Sequence, residues 1–262
     1  MKTIGIIGSG NIATLIFKIA KDIKNKLYVY DVNQNNIEKF CKKFHNKKII
    51  RCNSIEQIIK FSDIVLESAS ITAVDEIFEY IRSYKNKVYI FLSIGGVLKN
   101  FSLYKDLIKK GYKICIPSGA IAGCDALSAV RFTKIKSIQL KTIKPLKTLI
   151  TAPYFKQNKN LYNKVLKQKQ TIVFHGNVYD AVKNFPQNIN VAATLAVVSN
   201  NPDKVKVTII ADKDLKNNIH EVTVVSSAGK IFTRTENIPS EDNPKTSYLA
   251  ALSALSVLHQ FV

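Results

Sequence analysis

Short apolar runs recur at regular intervals through the first 117 residues, and amphipathic segments separate them. In one such segment, residues 12–23, five Ile and Leu side chains have the three- and four-residue spacing of one helix face. This alternation predicts a parallel sheet, because each return of the chain to the same edge needs a helical crossover. The predicted strands are Thr3–Ile7, Leu27–Tyr30, Ile49–Cys52, Ile64–Ala69, Val88–Leu92 and Lys113–Ile116.

After Pro117 the pattern changes to one helix followed by longer alternating strands, of which the last three have short connections. This pattern predicts a second, α+β domain with a mixed or antiparallel sheet. We expect residues 1–119 and 244–262 to form the first domain and residues 120–243 to form the second. The predicted elements are a helix at Ala122–Phe132 and strands at Ile138–Ile143, Val205–Ala211, His220–Ser226 and Lys230–Glu236.

The chain ends in a strongly apolar segment, Thr246–Phe261, in which four Leu residues are spaced three apart. We predict a helix that returns to the first domain. A helix that is apolar on all sides must be covered, either by its own domain or by a second copy of the chain. We therefore expect a homodimer, while cover from the first domain remains the alternative.

A glycine motif, Gly8-Ser-Gly10-Asn-Ile-Ala13, connects the first strand to the first helix. Gly8 permits a tight turn, Gly10 lets the backbone approach a pyrophosphate, and Ala13 allows close packing of helix on strand. The first-turn amides of Asn11 and Ile12 would then face the phosphates. With the parallel sheet, the motif predicts an α/β fold with a Rossmann doubly wound sheet that binds a dinucleotide. The competing interpretation is that the glycines only form a turn.

Asp31 ends the second strand, 21 residues after Gly10. An acidic side chain at this place accepts hydrogen bonds from the adenine ribose and repels a 2'-phosphate. No Arg in residues 32–36 would neutralise such a phosphate. We therefore predict NAD as the cofactor, with NADP as a possible alternative.

Three further cofactor-binding candidates follow the fourth and fifth strands. Ser68 and Ala69 come after one strand, and Ser93 comes after the next. Ligands of open α/β sheets bind at the carboxyl ends of the strands, so both loops are expected to line the cofactor. Ordinary turns are the alternative interpretation.

The composition adds a net charge of +20, from 39 Lys and Arg against 19 Asp and Glu. The charge is spread over the whole chain without a nucleic-acid-binding motif, so we expect a solvated surface and no nucleic-acid partner. No apolar stretch reaches the roughly 20 residues that span a bilayer, and we expect no membrane partner. Met1 leads directly into a strand, which predicts a cytoplasmic protein. The four Cys residues lack metal-site spacing, and we expect free thiols and no metal.

Several stretches resemble the L-aspartate dehydrogenase family, and with the glycine motif they extend over essentially the full chain. Members of this family oxidise L-aspartate with NAD or NADP to iminoaspartate, which can supply quinolinate and NAD synthesis. The resemblance implies the same activity here. The matching stretches are Glu67–Ser70, Pro117–Leu127, Phe185–Thr194, Ile210–Asp212, Asn218–Glu221, Glu236–Ser240 and Asn243–Ser247.

The resemblance also implies roles for three residues. It places the catalytic histidine at His220 and cofactor contacts at Ala120 and Asn190, with Asn190 also near the substrate. Where many members have Gly, this chain has Ala13, and Cys124 replaces an aliphatic residue. These departures remove no reactive group.

The chemistry of amino-acid oxidation needs a group that accepts a proton near neutral pH, and histidine is suited to that task. The other three histidines lie on a lysine-rich segment, at a Gly turn and in the last helix, and we interpret them as structural or surface residues. The two carboxylates of aspartate also need donors. Lys245, Thr246 and Ser247 are the candidates, at the expected start of the last helix. Simple capping of that helix is the competing interpretation.

Two other functions remain open from the sequence. A related Rossmann reductase, of the homoserine dehydrogenase or dihydrodipicolinate reductase type, would share the two-domain organisation. A non-catalytic NAD-binding sensor would share the glycine motif. The sequence also leaves open whether aspartate oxidation or reductive amination of oxaloacetate is the physiological direction.

Overall fold

A computed structural model describes residues 1–150, 152, 154–155, 158–185, 190–240 and 243–262, leaving aside the side chains of residues 159 and 243–246. The chain divides into two compact units, Met1–Pro117 with Ala250–Val262 and Ser118–Leu249. The domain boundaries expected from the sequence, after residues 119 and 243, stay predictions, and the compact units end two and six residues away from them. The larger difference arises because residues 243–247 form a strand that pairs within the second unit.

The first unit contains a six-stranded sheet in which all paired strands are parallel. Its order, β3-β2-β1-β4-β5-β6, reverses direction between β1 and β4, which is where doubly wound sheets bind nucleotides. The predicted Rossmann fold is confirmed. The strands are β1 (Ile4–Ile7), β2 (Leu27–Tyr30), β3 (Ile49–Arg51), β4 (Ile64–Glu67), β5 (Val88–Phe91) and β6 (Lys113–Cys115).

Helices connect these strands, and polar residues determine where several of them begin. Asn33, Ser54 and Ser70 each accept a hydrogen bond from a first-turn amide, which satisfies a donor that has no partner within the helix. The helices are α1 (Asn11–Ile19), α2 (Gln34–Lys43), α3 (Ile55–Phe61), α4 (Ile71–Tyr80), α5 (Ile94–Lys99) and α6 (Phe101–Lys109), with a 3-10 turn at Ile81–Ser83.

The second unit contains a five-stranded sheet of order β11-β10-β7-β9-β8. The pair β7 and β9 is parallel and the other pairs are antiparallel, which confirms the predicted mixed sheet. The strands are β7 (Ile135–Pro145), β8 (Gln170–Asn177), β9 (Val205–Asp212), β10 (Asn218–Ser226) and β11 (Gly229–Asn237), and a separate pair consists of β12 (Pro239–Ser240) and β13 (Asn243–Ser247).

One helix of this unit is shorter than the sequence predicts, and the sequence patterns did not predict the others that precede the last helix of the chain. The expected helix Ala122–Phe132 is confined to Cys124–Val130, because Gly123 before it has a left-handed φ of 82°. The helices are α7 (Cys124–Val130), α8 (Leu146–Leu149), α9 (Lys159–Lys167), α10 (Val178–Asn184) and α11 (Asn190–Ser199), with a 3-10 turn at Pro202–Lys204.

The last helix, α12 (Tyr248–His259), begins two residues later than predicted. Its buried face packs into the core of the first unit through Ala251, Ala254, Leu255 and Leu258. The opposite side is partly exposed, so its own unit supplies the cover that the helix needs. Lys245, Thr246 and Ser247 thus lie in strand β13 and not at the start of a helix, which corrects that expectation.

We predict that Leu258→Ala destabilises the protein by about 2–5 kcal/mol, because it removes a fully buried side chain and leaves a cavity. The matched control is Leu252→Ala in the same helix, where a 36% exposed side chain is lost and the expected cost is about 1 kcal/mol or less. Urea denaturation, monitored by circular dichroism, measures the free energy of unfolding of both variants. Equal losses in the two variants would contradict the described packing of α12.

Candidate functional site

The loop after β1 has the conformation that a dinucleotide site needs. Gly8 has a positive φ of 89°, and a Cβ there would lie 2.7 Å from the backbone of Ala69. A Cβ on Gly10 would meet nothing within 4 Å, so this side of the loop faces open space. The amides of Asn11 and Ile12 are in the first turn of α1, where amides lack intrahelical partners. These residues therefore fit the pyrophosphate of a dinucleotide.

A cavity of about 300 Å³ lies beside this loop. It is at the carboxyl ends of β1, β2 and β4, next to the reversal in strand order. Five sequence-predicted residues line it, whereas Asn11, Ile12 and Ser93 are not among the described residues that do. The lining includes Gly8, Gly10, Asp31, Ser68 and Ala69.

Asp31 is buried, and its carboxylate organises the wall of the cavity. Its Oδ2 atom accepts hydrogen bonds from the Ser9 amide at 2.9 Å and from Asn36 Nδ2 at 3.1 Å. Its Oδ1 atom accepts one from the Asn33 amide at 2.8 Å. Each carboxylate oxygen accepts about two hydrogen bonds, so Oδ1 retains acceptor capacity for a ribose hydroxyl.

Glu67, at the end of β4, joins the two predicted cofactor loops. It is fully buried and accepts hydrogen bonds from the amides of Ala69 at 2.8 Å and Ser93 at 2.9 Å, and from the Ser93 hydroxyl at 2.7 Å. Burial raises the pKa of Glu67, and these donors oppose that rise. Ser68 is held separately, because its hydroxyl donates to the Gly8 carbonyl at 2.7 Å. Hydrogen bonds to Glu67 thus fix the loops after β4 and β5, and the bond from Ser68 joins the first of them to the loop after β1.

His220 lies in the second unit, as the third residue of β10 and not at the opening of the strand as predicted. Its cross-strand partner is Thr142 on β7, and the Thr142 Oγ1 atom lies 2.7 Å from His220 Nδ1. Both side chains are buried. The bond occupies Nδ1, so Nε2 is the ring nitrogen that remains for other chemistry.

The surroundings of His220 keep its imidazole neutral. Burial, followed by the positive charge of Lys144, lowers the pKa of His220 to about 3. Burial likewise lowers the pKa of Lys144 to about 8. A neutral imidazole is a proton acceptor, so its protonation state suits a general base.

Ala120 is fixed on the second unit by side chains of β11. Its carbonyl accepts hydrogen bonds from Thr235 Oγ1 and Asn237 Nδ2, each at 2.9 Å. Asn237 Oδ1 in turn accepts a hydrogen bond from Ser247 Oγ at 2.8 Å. Ser247, a predicted substrate contact, therefore uses its hydroxyl to hold Asn237 and, through it, the backbone of Ala120.

The remaining predicted site residues are less fully described. Asn190 is the exposed first residue of α11. Lys245 and Thr246 lie in β13, and their side chains are outside the described residues. Their contacts with cofactor or substrate stay predictions.

Sequence patterns do not mark Thr142 or Lys144 as functional candidates. One signal was available: Thr142 and Lys144 continue the alternation of Ile138 and Leu140 along β7, so they lie on the same face of the strand. Polar side chains on a buried face need hydrogen-bond partners, which makes them candidates for a functional role.

Within the part of the chain that the structure describes, no helix is long and apolar enough to cross a membrane. In the same part, no group of three or more His, Cys, Asp or Glu side chains could hold a metal ion. All four cysteines are free thiols.

Comparisons with known proteins agree over both units. The family described as "Aspartate dehydrogenase, C-terminal" matches residues 125–261, and the one described as "D-isomer specific 2-hydroxyacid dehydrogenase, NAD binding domain" matches residues 1–104. The L-aspartate dehydrogenases of Methanococcus maripaludis and Methanocaldococcus jannaschii are each 41% identical, over 98% of this chain and 96% of theirs. The crystal structure of aspartate dehydrogenase from Thermotoga maritima is 28% identical, with a TM-score of 0.74 over 100% of this chain and 98% of that one. This chain belongs to the L-aspartate dehydrogenase family.

Proposed function

We propose that this protein oxidises L-aspartate to iminoaspartate with a pyridine nucleotide, the reverse direction being reductive amination of oxaloacetate. The observation that carries the proposal is a buried, neutral His220 held by Thr142 in a chain of this family. When bound, the nicotinamide accepts the hydride that leaves C2 of the substrate. The full-length similarity to L-aspartate dehydrogenases favours this activity over that of a homoserine dehydrogenase or a dihydrodipicolinate reductase.

His220 acts as the general base in this proposal. The amine of L-aspartate must lose a proton so that its lone pair can assist departure of the hydride, and Nε2 of the imidazole accepts that proton. This role requires the tautomer in which Nδ1–H donates to Thr142 Oγ1, because only then does Nε2 carry the lone pair. Thr142 is therefore a positioning residue: its hydroxyl holds the ring through Nδ1 and accepts the hydrogen bond from Nδ1–H in that tautomer.

We predict that His220→Ala lowers kcat for L-aspartate by about 10²–10⁴-fold, the usual contribution of a positioned base. His175→Ala is the matched control, because His175 is exposed and bonds only a Thr side chain among the described residues. NADH formation at 340 nm measures both variants, with homoserine, L-glutamate, L-alanine and D-aspartate beside L-aspartate. Near-normal turnover by His220→Ala would exclude His220 as the base.

NAD is the proposed cofactor in preference to NADP. Asp31 lines the cavity, and its carboxylate repels the additional phosphate of NADP. Asn36, the neighbouring side chain that bonds Asp31, carries no charge to compensate that repulsion.

We predict that kcat/KM is at least about tenfold higher with NAD than with NADP, and that Asp31→Ser reduces this ratio. The control is Asp106→Ser, which removes a partly exposed carboxylate of the same unit that pairs with Lys110 and does not line the cavity. Loss of Asp31 also removes its hydrogen bond to Ser9 and could loosen the loop after β1, but that would weaken binding of both nucleotides alike. The ratio therefore reports cofactor choice alone. Equal or better use of NADP by the unaltered protein would refute the proposed preference.

Binding of one substrate carboxylate by the Lys245–Ser247 segment remains part of the proposal. Its support is now the charge of Lys245 and the resemblance to the family, since the segment does not begin a helix. We assign cofactor contacts to Ala120 and Asn190 on the same resemblance. We also propose a cytoplasmic enzyme whose product supplies quinolinate and NAD synthesis.

A homodimer is also proposed, although α12 no longer supports it. The sheet of the second unit instead has one face with exposed apolar side chains, Ile172 at 61% and Phe232 at 59%. Register places both on the same face, with Lys141, Glu221 and Arg234 between them in an ion-paired cluster. Such a face fits contact with a second copy of the chain.

We predict a dimeric mass in size-exclusion chromatography with light scattering, and a monomeric mass for Phe232→Glu, because a charge in the apolar part of the contact opposes burial. Phe132→Glu is the control, since Phe132 is 81% exposed and lies outside the sheet. A monomeric mass for the unaltered protein would contradict the proposal.

A further inference from the structure

The sheet of the second unit has a short row of polar side chains on its buried face. Thr142 is paired with His220, and Ile143 is paired with Ile219. Continuing this antiparallel register by one residue sets Lys144 opposite Asn218, on the same face as Thr142 and His220 because side chains alternate along a strand. All four side chains are less than 9% exposed.

Lys144 is an unusual member of this row, because burial of an ammonium group is costly and lowers its pKa. Lys144 also disfavours the proposed role of His220 as a base, because a positive charge beside the imidazole opposes proton uptake. The described residues on this face from the adjacent strands are uncharged, namely Ile209, Ala211, Thr235 and Asn237. Lys144 is therefore the charged group that these strands set beside the base.

Asn218 gives a second, independent observation. Its Oδ1 atom is buried and has no hydrogen-bond partner among the described residues. An unpaired buried acceptor is costly and typically marks a place where a donor from water or a ligand binds. A cation and an acceptor thus lie next to one another, beside the proposed base.

We propose that Lys144 and Asn218 form a substrate subsite, in which Lys144 pairs with one carboxylate of the dicarboxylate substrate and Asn218 Oδ1 accepts a hydrogen bond from its amine. This inference rests on the proposed function and deepens it. The pairing selects an amino acid with a second acidic group over L-alanine, which lacks one.

The subsite couples binding to basicity. An anion on Lys144 offsets the positive charge beside His220, so the pKa of His220 rises when the dicarboxylate is bound. The base is then weak in the free protein and stronger in the complex, where the amine proton has to be accepted.

Succinate tests the carboxylate half of the subsite, because it has two carboxylates and no amine. Its dissociation constant is measured by calorimetry in the presence of saturating NADH. We expect Lys144→Met to weaken succinate binding by at least about 30-fold, as losses of buried charge pairs do. Lys141→Met is the control, on the opposite face of the same strand and partly exposed. We expect it to bind succinate as the unaltered protein does.

Asn218→Leu tests the amine half. It is expected to raise KM for L-aspartate at least about tenfold while leaving the succinate dissociation constant unchanged, because succinate has no amine to donate. A purely structural loss would weaken both ligands. Parallel losses of both would therefore overturn the role of Asn218.

An NMR titration of the histidine rings supplies a measurement that is independent of turnover. We expect the His220 midpoint, about 3 in the free protein, to move upward on addition of succinate and also in Lys144→Met. Lys144→Gln serves if the Met variant does not fold. An unchanged midpoint with bound succinate would overturn the coupling.

The outcomes separate this inference from the proposed function. Succinate binding and L-aspartate turnover within about twofold of the unaltered protein in Lys144→Met would overturn the subsite and leave the proposed function standing. Lys144-dependent succinate binding without L-aspartate turnover would support the anion subsite and refute the proposed function. Absence of succinate binding by the unaltered protein would overturn the subsite.

Discussion

A histidine can serve as a base only if its surroundings keep it neutral and determine which ring nitrogen is available. Burial meets the first condition, and the hydrogen bond between Thr142 and His220 engages Nδ1 and so leaves Nε2 as the nitrogen without a bond to Thr142. Both depend on the register of β7 and β10, which makes the two residues direct cross-strand partners. A shift of one residue would turn His220 to the other face of the sheet. The pairing of these two strands is therefore the constraint on which the proposed catalytic chemistry depends.

The first unit meets a different requirement, the binding of a large anionic cofactor without large conformational cost. Gly8 approaches the backbone of Ala69 too closely for a side chain, and Glu67 ties the loops after β4 and β5 together through buried hydrogen bonds. A cavity wall fixed in this way loses little entropy when a ligand binds. The two units thus divide the proposed task between a hydrogen-bonded nucleotide cavity and a buried histidine held by a threonine.

The parallel sheet and the glycine loop could be predicted because they depend on local signals, namely continuous apolar runs and a motif in its strand–helix context. The start of α12 could not. Asn243-Pro-Lys-Thr-Ser247 has the composition of a helix cap, but pairing with β12 makes it a strand, and that pairing is a tertiary interaction. His220 was assigned through family resemblance. Thr142 and Lys144 stayed hidden because alternating polar residues in a strand look like a solvated face, and only the register shows them buried beside His220.

The central claim is that a hydride leaves C2 of L-aspartate while His220 takes the amine proton. The most direct measurement uses L-aspartate deuterated at C2, with the cofactor analysed by mass spectrometry after turnover. The account predicts that the reduced nicotinamide carries the deuterium, since C2 is the hydride donor. Reduced cofactor without deuterium would show that the hydride comes from elsewhere and would contradict the account.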